Sequence, residues 1–135
     1  MKELNLEVTT PSKKAYSGKV KSITLPGTLG SFQVLYNHAP ILSSLEIGVI
    51  KIVDSDGKEK LFATGGGTVE VLNNSVLVLA ESFESPENID VERAERAKKR
   101  AEERLKKRDK DIDFVRAEIA LKRALNRLSV KKKRI

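Results

Sequence analysis

Leu4, Leu6 and Val8 alternate with Asn5 and Glu7, the period-two pattern of a half-buried strand. The pattern breaks at Pro11-Ser12 and Ser17-Gly18, then resumes over Val20-Lys21-Ser22-Ile23-Thr24-Leu25. Pro26-Gly27 and Gly30 mark a loop, Phe32 to Tyr36 a further strand, and Asn37-His38-Ala39-Pro40 a turn. Ile41-Leu42, Val49 to Val53, Leu61-Phe62-Ala63, Val69 with Val71, and Val76 to Ala80 read as the remaining strands. Asp54-Ser55-Asp56-Gly57 supplies a tight hairpin between two of them. Short strands with frequent turns, and no helix-length pattern between any two, predict an antiparallel sandwich or barrel rather than βαβ units.

After Glu84 the period changes. Small apolar residues fall at Ala94, Ala97, Ala101 and Leu105, and again at Phe114, Ala117, Leu121, Ala124 and Leu128, three and four apart. That spacing draws a narrow stripe along each of two helices, closer to a coiled-coil seam than to a broad core face. Alanine lets two helix axes approach but buries little area, so at about 25 cal/mol per Å² the pair is held weakly and can serve as a moving part. Ser85-Pro86-Glu87 reads as the hinge, dividing the chain into residues 1–85 and 86–135. Asp90 is placed to cap the first helix, and either Asp111 or Asp113 the second. The closing run, Lys131 to Arg134, is expected to be frayed and solvated.

Charge sharpens this division. The net charge of +7 over 135 residues resolves into −1 for residues 1–85 and +8 for residues 86–135, so the whole basic excess sits on the helical third. With no cysteine there is neither a disulfide framework nor a thiolate zinc site. The start of the chain alternates rather than running apolar, so no signal peptide is expected, and no stretch is long enough to span a bilayer.

Enzyme chemistry has little to work with, and no catalytic or metal-ligating set is predicted. His38 is the single histidine, with no second ligand near it in sequence, and reads as a packing or surface contact. Gly65-Gly66-Gly67 leads into a strand, not a helix, so it reads as a sheet corner rather than a phosphate loop. Arg93, Arg100 and Arg104 share one face of the first helix, and Arg123 and Arg127 lie one turn apart on the second. Antiparallel pairing brings Arg93, Arg123, Arg127 and Asp90 to the open end, where guanidinium forks suit a polyphosphate. The same arginines also fit an ordinary solvated face balanced by Glu92, Glu95 and Glu103, the commoner outcome for charge runs on helices. Nucleic-acid binding has charge in its favour but no aromatic platform and no recognition motif, so it stays a remote alternative. Docking onto an acidic protein partner is the other use of such a surface.

The order of motifs resembles one family, the ε subunit of the bacterial F-type ATP synthase (δ in the mitochondrial enzyme). The resemblance rests on Val8-Thr9-Thr10-Pro11, Tyr16-Ser17-Gly18, Gly27-Thr28-Leu29-Gly30, Asn37-His38-Ala39-Pro40-Ile41-Leu42 and Gly48-Val49-Ile50-Lys51-Ile52. It continues through Ala63 to Val71, Val76 to Glu81, Ile89-Asp90-Val91-Glu92-Arg93-Ala94 and Arg123 to Leu128, nearly the whole chain. It implies an α+β protein: an N-terminal antiparallel β-sandwich of about ten strands and a C-terminal antiparallel two-helix hairpin. It further implies a non-catalytic rotor subunit, peripheral on the cytoplasmic face of the cell membrane, in an ion-translocating, hydrogen-ion-transporting complex. The sandwich would hold the γ subunit and sit on the c-subunit ring through Ser31, Phe32, Asn37, His38, Ala39 and Pro40. The hairpin would fold down or extend toward the catalytic α and β subunits and inhibit ATP hydrolysis, with Arg116, Lys122, Arg123 and Arg127 meeting an acidic segment of β. No cofactor is required. ATP would be a regulatory ligand at Glu84, Ile89, Asp90, Arg93, Ala94, Arg100, Arg123 and Arg127; a constitutive coupler without nucleotide is the alternative. One departure stands out: where many members carry Gly-Glu-Leu-Gly, this chain has Gly30-Ser31-Phe32-Gln33, without the acidic residue expected at the c-ring contact.

Overall fold

A computed structural model describes residues 2–107 and 112–133. They divide into two compact units, Met1–Glu84 and Ser85–Ile135. The first contains nine strands: β1 (Leu4–Thr9), β2 (Lys14–Gly27), β3 (Gly30–Val34), β4 (Ile41–Leu45), β5 (Gly48–Asp54), β6 (Glu59–Thr64), β7 (Gly67–Leu72), β8 (Ser75–Ala80) and β9 (Phe83–Glu84). About ten strands were expected. The number is lower partly because the chain does not break at Ser17-Gly18 or Pro26-Gly27: β2 runs through both as one strand of 14 residues.

That long strand organises the sandwich. Its first half pairs with β1, Leu4 opposite Val20, and its second half pairs with β5 and β3, Ile23 lying opposite both Ile52 and Val34. The neighbours run β1-β8-β7-β4-β2-β5-β6-β9, with β3 on β2. A register shift between Val20 and Ser22 changes which residues face inward, so Val20 and Ile23 are both fully buried although they are three apart. Every pair is antiparallel except β1 with β8, which run parallel with Leu6 opposite Val76. The core includes Leu4, Leu6 and Val8 from β1, Val20, Ile23 and Leu25 from β2, Ile50 and Ile52 from β5, and four valines from β7 and β8, with Val34, Leu45, Phe62 and Ala80 completing it. Phe62 and Phe83 stack at 4.2 Å between centroids, and Tyr16 meets both edge-on.

The triple glycine makes the corner between β6 and β7, as its strand context predicts. Gly66 (φ 99°) and Gly67 (φ 148°) take conformations that side chains avoid, and a Cβ on Gly67 would run into the carbonyl oxygen of Leu79 on β8. Thr64 Oγ1 accepts the Gly66 N–H at 3.2 Å, satisfying a buried group at the bend. In the β5–β6 turn, Asp54 Oδ1 accepts from the Lys58 and Asp56 N–H groups at 2.9 Å each, and Lys60 Nζ lies 3.4 Å from Oδ2. The backbone bond from Lys58, foremost, holds this carboxylate below its ordinary value of 3.8.

The second unit opens with a 3₁₀ turn (Pro86–Asn88) and holds α1 (Val91–Lys107) and α2 (Ile112–Lys133). The two helices pack on each other, and Lys131 Nζ donates to Pro86 O at 2.7 Å. This bond sets the end of α2 beside the approach to α1, so the pair is antiparallel. The expected cap by Asp111 lies outside the described residues, as does the side chain of Asp113.

Two outcomes follow for the sandwich. Gly67→Ala should destabilise it by roughly 3 kcal/mol or more, read as a lower urea midpoint, because backbone and not a flexible side chain stands in the way. Asp54 has its folded pKa depressed, so its contribution is present above pH 3.8 and is lost as pH falls through the lower folded value. Asp54→Asn should therefore flatten the acid limb of the stability curve below pH 4, leaving it unchanged if the turn carries no such linkage.

Candidate functional site: the helical hairpin and the ends of the sandwich

Four alanines line the contact between α1 and α2. Ala94 and Ala101 are seven residues apart on one helix and Ala117 and Ala124 seven apart on the other, and all four are 1–2% exposed. With Lys131 on Pro86, the antiparallel register sets Ala124 level with Ala94 and Ala117 level with Ala101. Ala97, Leu105, Leu121 and Leu128, expected on the same stripe, are half-buried at its margins. Phe114 is not on the seam: it is 42% exposed, because an interface spaced for methyl groups has no room for a ring.

Asp90 caps α1 as expected, its Oδ1 accepting the Arg93 N–H at 3.1 Å. Ile89 just before it is buried, and Ala94 belongs to the seam. The register brings the Arg123–Arg127 turn of α2 to the level of the first turn of α1, where Asp90 and Arg93 lie. Arg93 and Arg123 are exposed, and Arg127 is half-buried. Arg100 is exposed two turns further along α1. Arg93 thus stands on the first turn of α1, and Arg123 and Arg127 lie toward the end of α2 that antiparallel pairing sets beside it. Glu84 is placed in the other unit, on β9 opposite Ala63. Arg116 and Lys122 are exposed on α2 with Arg123. Among the described residues no group of acidic side chains or histidine could hold a metal ion.

The tail expectation needs correcting in part: Lys132 is exposed as expected, and Arg134 lies outside the described residues. Lys131 and Lys132 belong to α2, which runs to Lys133, and Lys131 is half-buried through its bond to Pro86. Val130 beside it is fully buried, an apolar residue whose proximity to the lysine run was the available signal.

In the sandwich, Ser31 and Phe32 stand on β3, while Asn37 to Pro40 form the turn after it. Asn37 adopts φ 65°, donates its N–H to Asn74 Oδ1 at 2.6 Å and receives Asn74 Nδ2 on its own side-chain oxygen at 3.3 Å. Asn74 thereby ties this turn to the β7–β8 turn, a contact between residues 37 apart. His38 donates from Nδ1 to Ala39 O at 2.6 Å, which makes it a local turn contact. Ser31, Asn37, Ala39 and Pro40 are exposed; Phe32 and His38 are half-buried.

Comparison with known proteins covers both units. Residues 3–86 match the family described as "ATP synthase, Delta/Epsilon chain, beta-sandwich domain", and residues 87–132 the "ATP synthase, Delta/Epsilon chain, long alpha-helix domain". The "ATP synthase epsilon chain" of Pelotomaculum thermopropionicum is 50% identical over 107 residues, 79% of each chain. That of Desulfosudis oleivorans is 46% identical over 102 residues, 76% of this chain and 77% of the other. That of Syntrophomonas wolfei is 42% identical over 107 residues, 79% and 78% of the two chains. A chain in the Euglena gracilis mitochondrial ATP synthase structure (OSCP/F1/c-ring) superposes with a TM-score of 0.84 at 21% identity, over 96% of this chain and 81% of that one. One in the Tetrahymena thermophila mitochondrial ATP synthase central stalk and c-ring gives 0.60 at 20%, over 98% and 96%. At such identities the likeness to the solved chains is one of fold. The sequence matches carry the assignment, and by them the chain belongs to the ATP synthase delta/epsilon family as a non-catalytic subunit.

Proposed function

We propose that this chain is a rotor subunit of the central stalk, with its sandwich joining γ to the c ring and its hairpin acting as a regulatory arm. Ser31, Phe32 and the Asn37-His38-Ala39-Pro40 turn are the expected contacts of the sandwich, and α and β are partners of the extended hairpin. Folded, the hairpin binds ATP through Asp90, Arg93, Arg123 and Arg127, with Ile89, Ala94 and Arg100 as the remaining expected contacts within this unit. Extended, it turns Arg116, Lys122, Arg123 and Arg127 toward an acidic surface of β and inhibits ATP hydrolysis. The complex places the chain peripherally at the cytoplasmic face of the cell membrane; no helix among the described residues is long and apolar enough to cross one.

The observation that supports this reading is the alanine seam, with Arg93 on the first turn of α1 and Arg123 and Arg127 toward the end of α2. Two helices joined through methyl groups separate at low cost, and a polyanion bridging both at their open end stabilises only the closed pair. A ligand moves such an equilibrium by its differential affinity for the two states, and this one has contacts on both helices in one state alone. A constitutive coupler without nucleotide is favoured by one observation: Asp90 is already engaged in capping α1.

Calorimetric titration of the full chain with ATP tests the site. Saturable one-to-one binding, lost with Arg93→Ala and with Arg123→Ala/Arg127→Ala together, is expected; no heat at millimolar ATP would leave the coupler reading. Lys131→Met tests the two-state element separately, since Lys131 is outside the proposed contacts yet closes the open end. By weakening the closed pair by about 1 kcal/mol, it should raise the apparent Kd for ATP severalfold. An unchanged Kd would mean that closure does not limit binding.

A further inference from the structure

In a chain that is one-third charged, the 24 residues from Ser22 to Leu45 contain no Asp, Glu, Lys or Arg. They form the second half of β2, all of β3, the Asn37 turn and β4, and they are not hidden. Leu29 at the β2–β3 tip is fully exposed, Leu42 is 76% exposed and Leu35 51%.

Within this stretch β3 presents an open edge, and its pairing shows which groups line it. Pro26 of β2 stands opposite Ser31. It has no N–H, and its carbonyl accepts from Glu46, away from β3. Opposed residues in an antiparallel ladder alternate between exchanging both main-chain bonds and exchanging neither, so Pro26 and Ser31 are a pair that exchanges neither. Gly30, Phe32 and Val34 therefore turn their main-chain groups toward β2, and Ser31 and Gln33 turn theirs outward. No strand among the described residues pairs with that side. Two other open edges are guarded: the part of β6 beyond its pairing with β9 carries Glu59 and Lys60, and β9 is two residues long; β4, which meets β2 only at Leu45, is uncharged like β3. β3 has neither charge nor proline, the profile of an edge that is covered.

We propose that the outward edge of β3 is a strand-addition site, where an extended, uncharged segment of a neighbouring subunit bonds to the main-chain groups of Ser31 and Gln33. Only extended backbone offers donors and acceptors at the repeat of that edge, while the flanking Leu29 and Leu35 supply apolar contact. A second copy of this chain is the lesser occupant, because two five-residue strands joined edge to edge bury far less than the roughly 1,200 Å² of a stable dimer.

The proposal rests on the reading of the chain as a subunit of a larger stalk, so the probe is the cognate F-type complex stripped of this subunit. The full chain should rebind, and residues 29–35 should gain protection from hydrogen exchange on rebinding. Gln33→Pro removes an outward N–H and sets a ring where the partner strand would lie; proline is tolerated at such a position, so the melting curve should hold. Its affinity should fall at least tenfold, while Gln33→Ala stays within threefold of the unaltered chain. Should the proline variant fold poorly, Gln33→Lys puts a charge on the same edge and should show the same loss. Equal rebinding of the folded variants, unprotected residues 29–35 in the complex, or a dimer of the unaltered chain abolished by Gln33→Lys would overturn the proposal. Failure of the unaltered chain to rebind would overturn the stalk reading, and the proposal with it.

Discussion

Apolar burial is divided very unequally along this chain, and most of its behaviour follows from that division. The sandwich closes over sixteen buried hydrophobic side chains, nearly all valine, leucine and isoleucine. The helices close over four alanines, with Val130 at one end. At about 0.8 kcal/mol for each methylene-sized group removed from water, one alanine seam cannot rival the core of the β-unit. A polar anchor accordingly matters more in the hairpin: at its open end the Lys131–Pro86 bond adds to the burial of Val130 and Ile89.

Charge follows the same division. The sandwich is close to neutral and carries its charge on strands and turns where it guards edges or shapes a loop, as Asp54 does in the β5–β6 turn. The helical unit carries the +8, with arginines on both helices. A surface of that sign suits the arm proposed above, with a nucleotide and an acidic protein surface as its two proposed targets. The uncharged stretch from Ser22 to Leu45 marks a third kind of surface, suited to contact through backbone and leucine.

Much of this was legible in the residues. Strict alternation at Leu4, Leu6 and Val8 is half a strand's burial written out, and the spacing of Ala94, Ala101, Ala117 and Ala124 is a seam written out. Asp90 could be read as a cap because a carboxylate before a helix has one strong use. What escaped has physical causes. Ser17-Gly18 and Pro26-Gly27 look like turns, yet Gly18 pairs with Leu6 within β2, and Pro26 occupies a pair that needs no N–H from it. The parallel β1–β8 pair and the Asn37–Asn74 contact join residues far apart in the chain, which no local pattern encodes. Phe114 follows the period of the seam but exceeds its width. Lys131 lies in a run of cations that reads as solvent-facing until the partner carbonyl is known. The positions of the arginines were legible; whether they gather around a nucleotide is a property of the closed pair.

Hydrogen exchange on the isolated chain tests whether the hairpin opens as a unit while the sandwich stays closed. Amides of Ala101 and Ala117 should exchange through an opening several kcal/mol below that of Ile23 and Ile52, and millimolar ATP should slow the first pair alone. Equal protection of helices and strands, unmoved by ATP, would contradict it.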